Sequence, residues 1–383
     1  MIKRVESDGQ KIKILCFSWR GPGHPMAGGA EQVMHEHMKG WVAAGHEVTL
    51  FTSSFKGGDE NEVIDGVKII RRGRQIFGVH IMAFFYYVLS RHEEYDLVMD
   101  QFHGIPFFTP LYVRGPKLAV VQEVAGRVWL KNELPRPMNW IVGWIGYLGD
   151  PLLYFFYRRV NFMTGSQSAK DDLVKVGINK ERVTVVPHGV IVNALVKTPA
   201  KEKINTVMFL GAVTKDKGIE DVFEVFRRLN ASGEYQFWVV GKASEAYIKE
   251  MQGIEKEMNK SSFQYWGFVS QRNKFELLAR AHVMINPSIL EGFGLVNIEA
   301  SAMGTPVVAY KSRGLIDSVK DEESGVFCKE NSPQEIVNEV EKLLGDSARY
   351  QKLSKDAVGW SKNFTWERSR KLSLELVNRI VAV

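Results

Sequence analysis

The stretch Asn286-Pro-Ser-Ile-Leu-Glu-Gly-Phe-Gly-Leu-Val-Asn-Ile-Glu-Ala300 decides the fold. An apolar segment ends at Pro287, a Gly-rich turn follows, and helical spacing begins at about Leu295. A buried run feeding a helix through a short turn is the repeating unit of a parallel sheet. Such a turn presents backbone N–H groups and the positive end of a helix dipole, which suit an anion. Two carboxylates flank it, Glu291 in the turn and Glu299 inside the helix. Carboxylates do not ligate phosphate, but they accept hydrogen bonds from sugar hydroxyls. Amides for a phosphate beside acids for hydroxyls predict a sugar-nucleotide site.

On both sides of this stretch, short apolar runs alternate with amphipathic helical patterns. Strands are predicted at 12–17, 46–52, 67–72, 96–101, 117–122, 161–164 and 183–186. The series continues at 206–210, 236–240, 264–266, 283–286, 306–309 and 325–328. Continuous β-branched runs separated by helices indicate parallel sheets covered on both faces. The rhythm pauses from Pro187 to Lys201 and restarts at Asn205. The expected architecture is α/β: two doubly wound, Rossmann-like domains, 1–187 and 205–365, joined by a linker at 188–204 and facing a central cleft. Ligands in such sheets bind beyond the C-terminal ends of the strands.

The chain has 383 residues, enough for two domains that each bury a core. It is 45% hydrophobic and 25% charged, as soluble globular proteins are. Lys plus Arg is 50 against 44 Asp plus Glu, a formal charge of +6 that fits an anionic ligand or surface. No basic run is interleaved with aromatics, which argues against nucleic acid. Cys16 and Cys328 both sit in strand-like runs, and buried reduced thiols there predict a cytoplasmic chain. The N-terminus shows no signal-peptide core, and the uncharged runs fall short of the roughly 20 apolar residues of a membrane helix. The segment 140–157 holds Trp140, Trp144, Tyr147, Tyr154, Phe155, Phe156 and Tyr157, closed by Arg158-Arg159. It is expected to form two helices packed into the first domain's core. The alternative is an interfacial patch that meets a lipid acceptor or a membrane face.

Two further turns carry chemistry. The loop after the first strand ends in Gly28-Gly29, where a phosphate could approach a helix N-terminus. It is not the Gly-x-Gly-x-x-Gly fingerprint, which argues against a nicotinamide dehydrogenase. The strand ending at Phe209-Leu210-Gly211 delivers Lys215 and Lys217, either of which could neutralise a leaving diphosphate. No Asp-x-Asp or His cluster suggests a metal requirement, and no cofactor is expected.

The run Pro287-Ser288-x-x-Glu291-Gly-Phe-Gly-Leu-x-x-x-Glu299-Ala resembles the hallmark of glycosyltransferase family 4, retaining enzymes of the GT-B fold. Gly28-Gly-Ala-Glu31, Val185-Val-Pro-His-Gly189, Lys217-Gly218, Tyr265-Trp-Gly-Phe-Val269 and Phe364-Thr-Trp366 are similar to further family elements in the same order. The resemblance implies a hexose donor linked to UDP or GDP and a glycan or lipid-linked acceptor on the first domain. It implies that the terminal helix, 366–383, packs back on that domain. It gives Glu291 the donor sugar's hydroxyls and Glu299 the ribose. It places Gly292, Phe293, Gly294 and Leu295 around sugar and phosphate oxygens, Lys217 and Gly28-Gly29 at the diphosphate, and Gly267 to Val269 near the base. The family usually has Arg where Ala212 stands, and Lys215 is the available substitute. It usually has His where Gln122 stands, and His103 in Asp100-Gln-Phe-His-Gly104 is a second candidate near the reacting carbon. These departures keep open a weakly active sugar-nucleotide-binding partner subunit, as well as another GT-B chemistry such as epimerisation or soluble-disaccharide synthesis.

Overall fold

The computed structural model describes residues 11–75, 77–89, 94–102, 104–131, 136–190, 195, 197–231, 234–258, 262–289 and 291–382. The chain divides into two compact units, residues 1–188 with 366–383, and residues 189–365.

The first unit runs β1 (Lys13–Phe17), α1 (Gly29–Ala43), β2 (Glu47–Thr52), β3 (Asn61–Ile64), β4 (Val67–Arg71), α2 (Phe77–Leu89), β5 (Leu97–Gln101), β6 (Lys117–Val120), α3 (Met138–Phe156), β7 (Asn161–Thr164), α4 (Gln167–Lys175) and β8 (Val183–Val185). Its sheet has the order β3-β4-β2-β1-β5-β6-β7-β8. Every pairing is parallel except β3 with β4. Ile14, Leu15, Cys16 and Phe17 are all buried, so β1 is covered on both faces, which is why it reads as a continuous apolar run.

Strand β3 is absent from the sequence expectation. Its residues are partly charged and exposed, as an edge strand's can be. The local signal was present in Asp65-Gly66, both at positive φ (51° and 83°), the two-residue hairpin turn that returns β3 to β4.

The second unit runs β9 (Asn205–Leu210), α5 (Ile219–Asn230), β10 (Tyr235–Val240), α6 (Glu245–Glu257), β11 (Phe263–Gly267), α7 (Gln271–Arg280), β12 (Val283–Asn286), α8 (Leu295–Ala302), β13 (Val307–Ala309), α9 (Leu315–Ser318), β14 (Gly325–Phe327), α10 (Pro333–Gly345) and α11 (Ser347–Ser361). Its sheet order is β11-β10-β9-β12-β13-β14, all parallel. Helix α5 shows why the layers hold: Val222, Phe223, Val225, Phe226 and Leu229 form one buried stripe at helical spacing. Each such side chain contributes about 1.5–3 kcal/mol of burial. Ser244, Ser270 and Ser332 accept hydrogen bonds from first-turn amides and so start α6, α7 and α10. Part of the stretch expected as a linker packs on this unit. Val190 bridges Thr365, and Lys201 Nζ donates to Ala281 O and Thr305 Oγ1 at 2.7 Å each.

The last helix, α12 (Trp366–Val381), belongs to the first unit. Trp41 Nε1 of α1 donates to Ser373 Oγ at 3.1 Å, and Arg370 pairs with Glu36. Cys16 and Cys328 are free thiols, and both are buried.

The segment 140–157 corrects its expectation. It forms one helix and its end rather than two, and only its C-terminal Tyr154 and Tyr157 enter the core. Only Gly143, Asp150 and Tyr154 of α3 are buried. Trp140, Ile145, Leu148 and Leu152 are 63–68% exposed. An aromatic stripe usually marks a core face, but here the helix turns Gly143, Gly146, its one carboxylate and Tyr154 inward and leaves most of its aromatics outside.

Candidate active site

In the second sheet the chain leaves β9 in one direction, through β10 to β11, and β12 in the other, through β13 to β14. The C-terminal ends of β9 and β12 therefore bound the topological switch point, where open α/β sheets hold ligands. The turn after β9 carries Lys215–Lys217 and ends at Gly218. Gly218 has φ +74°, and a Cβ there would stand 2.4 Å from Pro287 O. Only glycine lets this turn press on the end of β12. Ile289 N donates to Asp216 O at 3.3 Å across the same junction.

This approach places Lys217 against Glu291. The Lys217 ammonium donates to Glu291 Oε2, which also accepts from Ser288 Oγ at 3.3 Å. Both charged side chains are partly shielded from water. Lys215 does not join them. It points to solvent and pairs with Glu220 at 3.3 Å.

The loop after β13 clasps the Glu291 turn from its other side. Ser312 Oγ donates to Ser288 O at 2.6 Å. Gly314, at φ +77°, leaves so little room that a Cβ would stand 2.1 Å from Glu291 O. Arg313 lies between these two contacts with an exposed side chain. Sequence reasoning passed over it, since a lone arginine before a glycine gives no local signal.

Gly294 is the N-cap of α8 at φ +80°, and no side chain caps that helix. Phe293 is buried in a cluster with Val190, Ile298 and Phe364, so it anchors the turn by packing. Asn286 Nδ2 donates to Asn297 Oδ1 at 2.8 Å, and Asn297 Nδ2 donates to Ser318 Oγ at 2.9 Å. This buried chain fixes the start of α8 to the end of β12 and was not anticipated.

Glu299 lies one turn into α8 and has its own cation, Lys274 Nζ of α7, 2.5 Å from Oε1. Burial raises the Glu299 carboxyl above its ordinary range, while the charge and hydrogen bond of Lys274 pull it down. Lys274 was also missed, because its partner is 25 residues away. Val269 packs partly against the core beside Trp266, and Phe268 before it is 85% exposed. Gly211 continues the ladder of β9 through its N–H to Val240 O at 3.0 Å.

In the first unit the switch point lies between β1 and β5. Gly28 N donates to Glu31 Oε2 at 2.7 Å, Arg20 Nε pairs with Glu31 at 3.0 Å, and Gly29 opens α1. The nearest atom to a Cβ at Gly28 would be 3.7 Å away, so this backbone stays approachable. Strand β6 ends at Val120 rather than at residue 122. Gln122 follows it, with an Oε1 that is shielded from solvent and accepts no hydrogen bond from the described residues. His103 lies outside the described residues.

Two doubly wound sheets, parallel but for the β3–β4 hairpin, one with paired lysines and glutamates at its switch point, define a GT-B glycosyltransferase fold. Two family models cover most of the chain: Glycosyltransferase Family 4 over residues 27–193 and Glycosyl transferases group 1 over residues 193–360. The chain belongs to this family, the group 1 or family 4 glycosyltransferases. It is 22% identical to a glycogen synthase of Mycobacterium tuberculosis, over 93% of this chain and 92% of that protein. Among solved structures it is similar to a sucrose-phosphate synthase of Thermosynechococcus elongatus, with TM-score 0.76 at 18% identity, covering 97% and 100% of the two chains. It is also similar to HepE of Anabaena in complex with UDP-glucose, with TM-score 0.69 at 16% identity, covering 96% and 99%.

Proposed function

We propose that this chain transfers a hexose from UDP- or GDP-hexose to an acceptor hydroxyl, with retention at the anomeric carbon and without a metal. The observation that carries the reading is the Lys217–Glu291 pair, set where the ends of β9 and β12 meet, beside the uncapped start of α8. In this reading Lys217 neutralises the diphosphate and the α8 N-terminus takes its remaining charge. Glu291 accepts from the sugar's hydroxyls and Glu299 from the ribose. Gly292, Gly294 and Leu295 line the sugar-phosphate junction, and Phe268 and Val269 lie on the base side.

The bond from the anomeric carbon to the diphosphate oxygen breaks, and its electron pair leaves with the diphosphate. The acceptor oxygen bonds to the same face of that carbon. The acceptor's proton passes to the departing phosphate oxygen, which needs no protein base. The similarity to a glycogen synthase and to a chain that binds UDP-glucose supports a hexose on a nucleoside diphosphate. Synthesis of a lipid-linked or cell-surface glycan at the cytoplasmic face completes the reading.

The test is turnover of labelled UDP- and GDP-hexoses with a chelator present, the product's anomeric proton being read by NMR. A product of retained configuration, unaffected by chelation, supports the proposal. Inversion, or strict dependence on an added metal, overturns it. Ala212 offers the diphosphate no cation and Lys215 turns to Glu220, which favours one second reading, a partner subunit that binds the donor without transfer. Donor binding without transfer or donor hydrolysis, across an acceptor panel, would select it.

A further inference from the structure

We propose that one apolar face of the first unit, built from α2, the turn Thr109–Leu111 and α3, seats this chain on the surface of an anionic lipid bilayer. Both helices present apolar residues to solvent, where a surface helix usually carries charge. Helix α2 contains no Asp, Glu, Lys or Arg, and α3 contains only Asp150. Asp150 is turned inward, accepting from Gly126 N at 3.0 Å and Trp129 Nε1 at 3.3 Å. Trp129 lies so close on Gly146 that a Cβ there would be 2.3 Å from the indole. The inner side of α3 thus carries Gly143, Gly146 and Asp150 ahead of one core aromatic, Tyr154, and its outer side is Trp140, Ile145, Leu148, Leu152 and Phe155, all exposed. On α2 the exposed residues are Phe77, Ile81, Met82, Phe84, Phe85, Val88 and Leu89.

The two helices are parts of one face. Phe84 of α2 meets Tyr112 edge-on at 5.2 Å, and Phe156 of α3 meets Phe108 at 6.3 Å. Leu111, on the turn between Phe108 and Tyr112, is 63% exposed. The buried Asp100 carboxylate holds this turn, accepting from Phe107 N at 3.0 Å, Thr109 Oγ1 at 3.0 Å and Tyr157 Oη just beyond α3. Continuous apolar surface on this scale marks an interaction site, in contrast to scattered single residues.

The charges beside the face identify its partner. Arg114, Arg158 and Arg159 are exposed next to it, and the Arg158 guanidinium lies 4.8 Å over the Phe155 ring. Arg159 also lines a 510 Å³ cavity with Lys117, Arg182 and Arg379 against the single carboxylate of Glu181. An apolar body with a basic edge matches acyl chains beneath anionic headgroups. Among the described residues no helix is long and apolar enough to cross a membrane, so α2 and α3 would lie in the interface plane.

Sedimentation of the full chain with lipid vesicles tests this. Phosphatidylcholine vesicles are compared with phosphatidylcholine–phosphatidylglycerol vesicles, without nucleotide or acceptor. Failure here therefore leaves the transfer reading of the second unit untouched. The chain should sediment with the mixed vesicles and bind neutral ones about tenfold or more weakly. Leu148→Glu/Leu152→Glu should abolish binding, and Phe85→Glu should weaken it about tenfold or more, marking the share of α2. Arg158→Glu/Arg159→Glu leaves the apolar face intact and should cost about fivefold per arginine, a loss that rising salt reproduces in the native chain. Three results overturn the proposal: no sedimentation with either vesicle, equal binding by all variants, or a native dimer without lipid affinity that Leu148→Glu/Leu152→Glu dissociates.

Discussion

Lys274 Nζ and Glu299 Oε1 stand 2.5 Å apart, linking α7 to α8 with little exposure to water. If Glu299 takes the ribose as proposed, the pair should set the pH range of donor binding. Burial raises the Glu299 carboxyl and Lys274 lowers it. A ribose hydroxyl bonds best to the ionised carboxylate, so donor affinity should be full above the raised value and fall as pH drops through it. Lys274→Met removes the lowering influence, and the midpoint should move to higher pH. Glu299→Gln should flatten the profile and cost about 1.5–3 kcal/mol of donor affinity near neutral pH. Calorimetric titration of donor between pH 4.5 and 8 measures all three, and an unmoved midpoint in Lys274→Met would refute the coupling.

Glu291 and Lys217 should separate binding from turnover. Glu291 holds the lysine proposed for the diphosphate. Glu291→Gln removes that counter-charge, so affinity for the nucleoside diphosphate alone should hold or rise. The same change removes a charged acceptor for the sugar's hydroxyls, and kcat should fall by about 10- to 150-fold, the rate equivalent of 1.5–3 kcal/mol. Parallel loss of nucleotide affinity would contradict the assignment of the carboxylate to the sugar.

Gly314 fixes where the Glu291 turn sits. Alanine there meets both a positive φ and the Glu291 carbonyl. The left-handed backbone alone costs about 1–2 kcal/mol, and the collision is with main chain, which cannot rotate aside. Gly314→Ala should lower the melting temperature and, beyond that, weaken the thermal shift produced by donor. Gly253→Ala is the control, since a Cβ there meets nothing within 4 Å.

The strand pattern was legible where buried parallel strands read as apolar runs, as in β1, β12 and β13. Strand β3 was not, because an exposed edge strand carries no such run. Around the site, the legible part was what one turn contains: Glu291, the glycines and the start of α8 at Leu295. The partners that hold it from outside, Lys274, Ser318 and Ser312, come from other elements, and local pattern cannot name a contact across a sheet. The outward face of α3 misled for a related reason. Composition reports that a helix is apolar, but which side is covered depends on Trp129 and Asp150.

His188 tests whether a buried imidazole makes the first unit acid-sensitive. It lies in Val185-Val-Pro-His-Gly189, where the resembled family carries asparagine. Burial holds His188 down at about 4, and burial with the neighbouring His188 holds His37 at about 3. The unfolded chain takes up these protons from about pH 6.5 downward, while the folded unit refuses them until the lower values. Stability is therefore full above 6.5 and is lost as pH falls toward 4. His188→Asn should flatten part of this slope in thermal denaturation followed from pH 7 to 4. Packing supplies an independent check. A Cβ on Gly165 would stand 2.1 Å from His188 Nε2, so Gly165→Ala should cost about 1–3 kcal/mol by overpacking. Asparagine is shorter than histidine, so the same substitution should cost less in the His188→Asn background. Equal costs in both backgrounds would mean that the ring does not bear on Gly165.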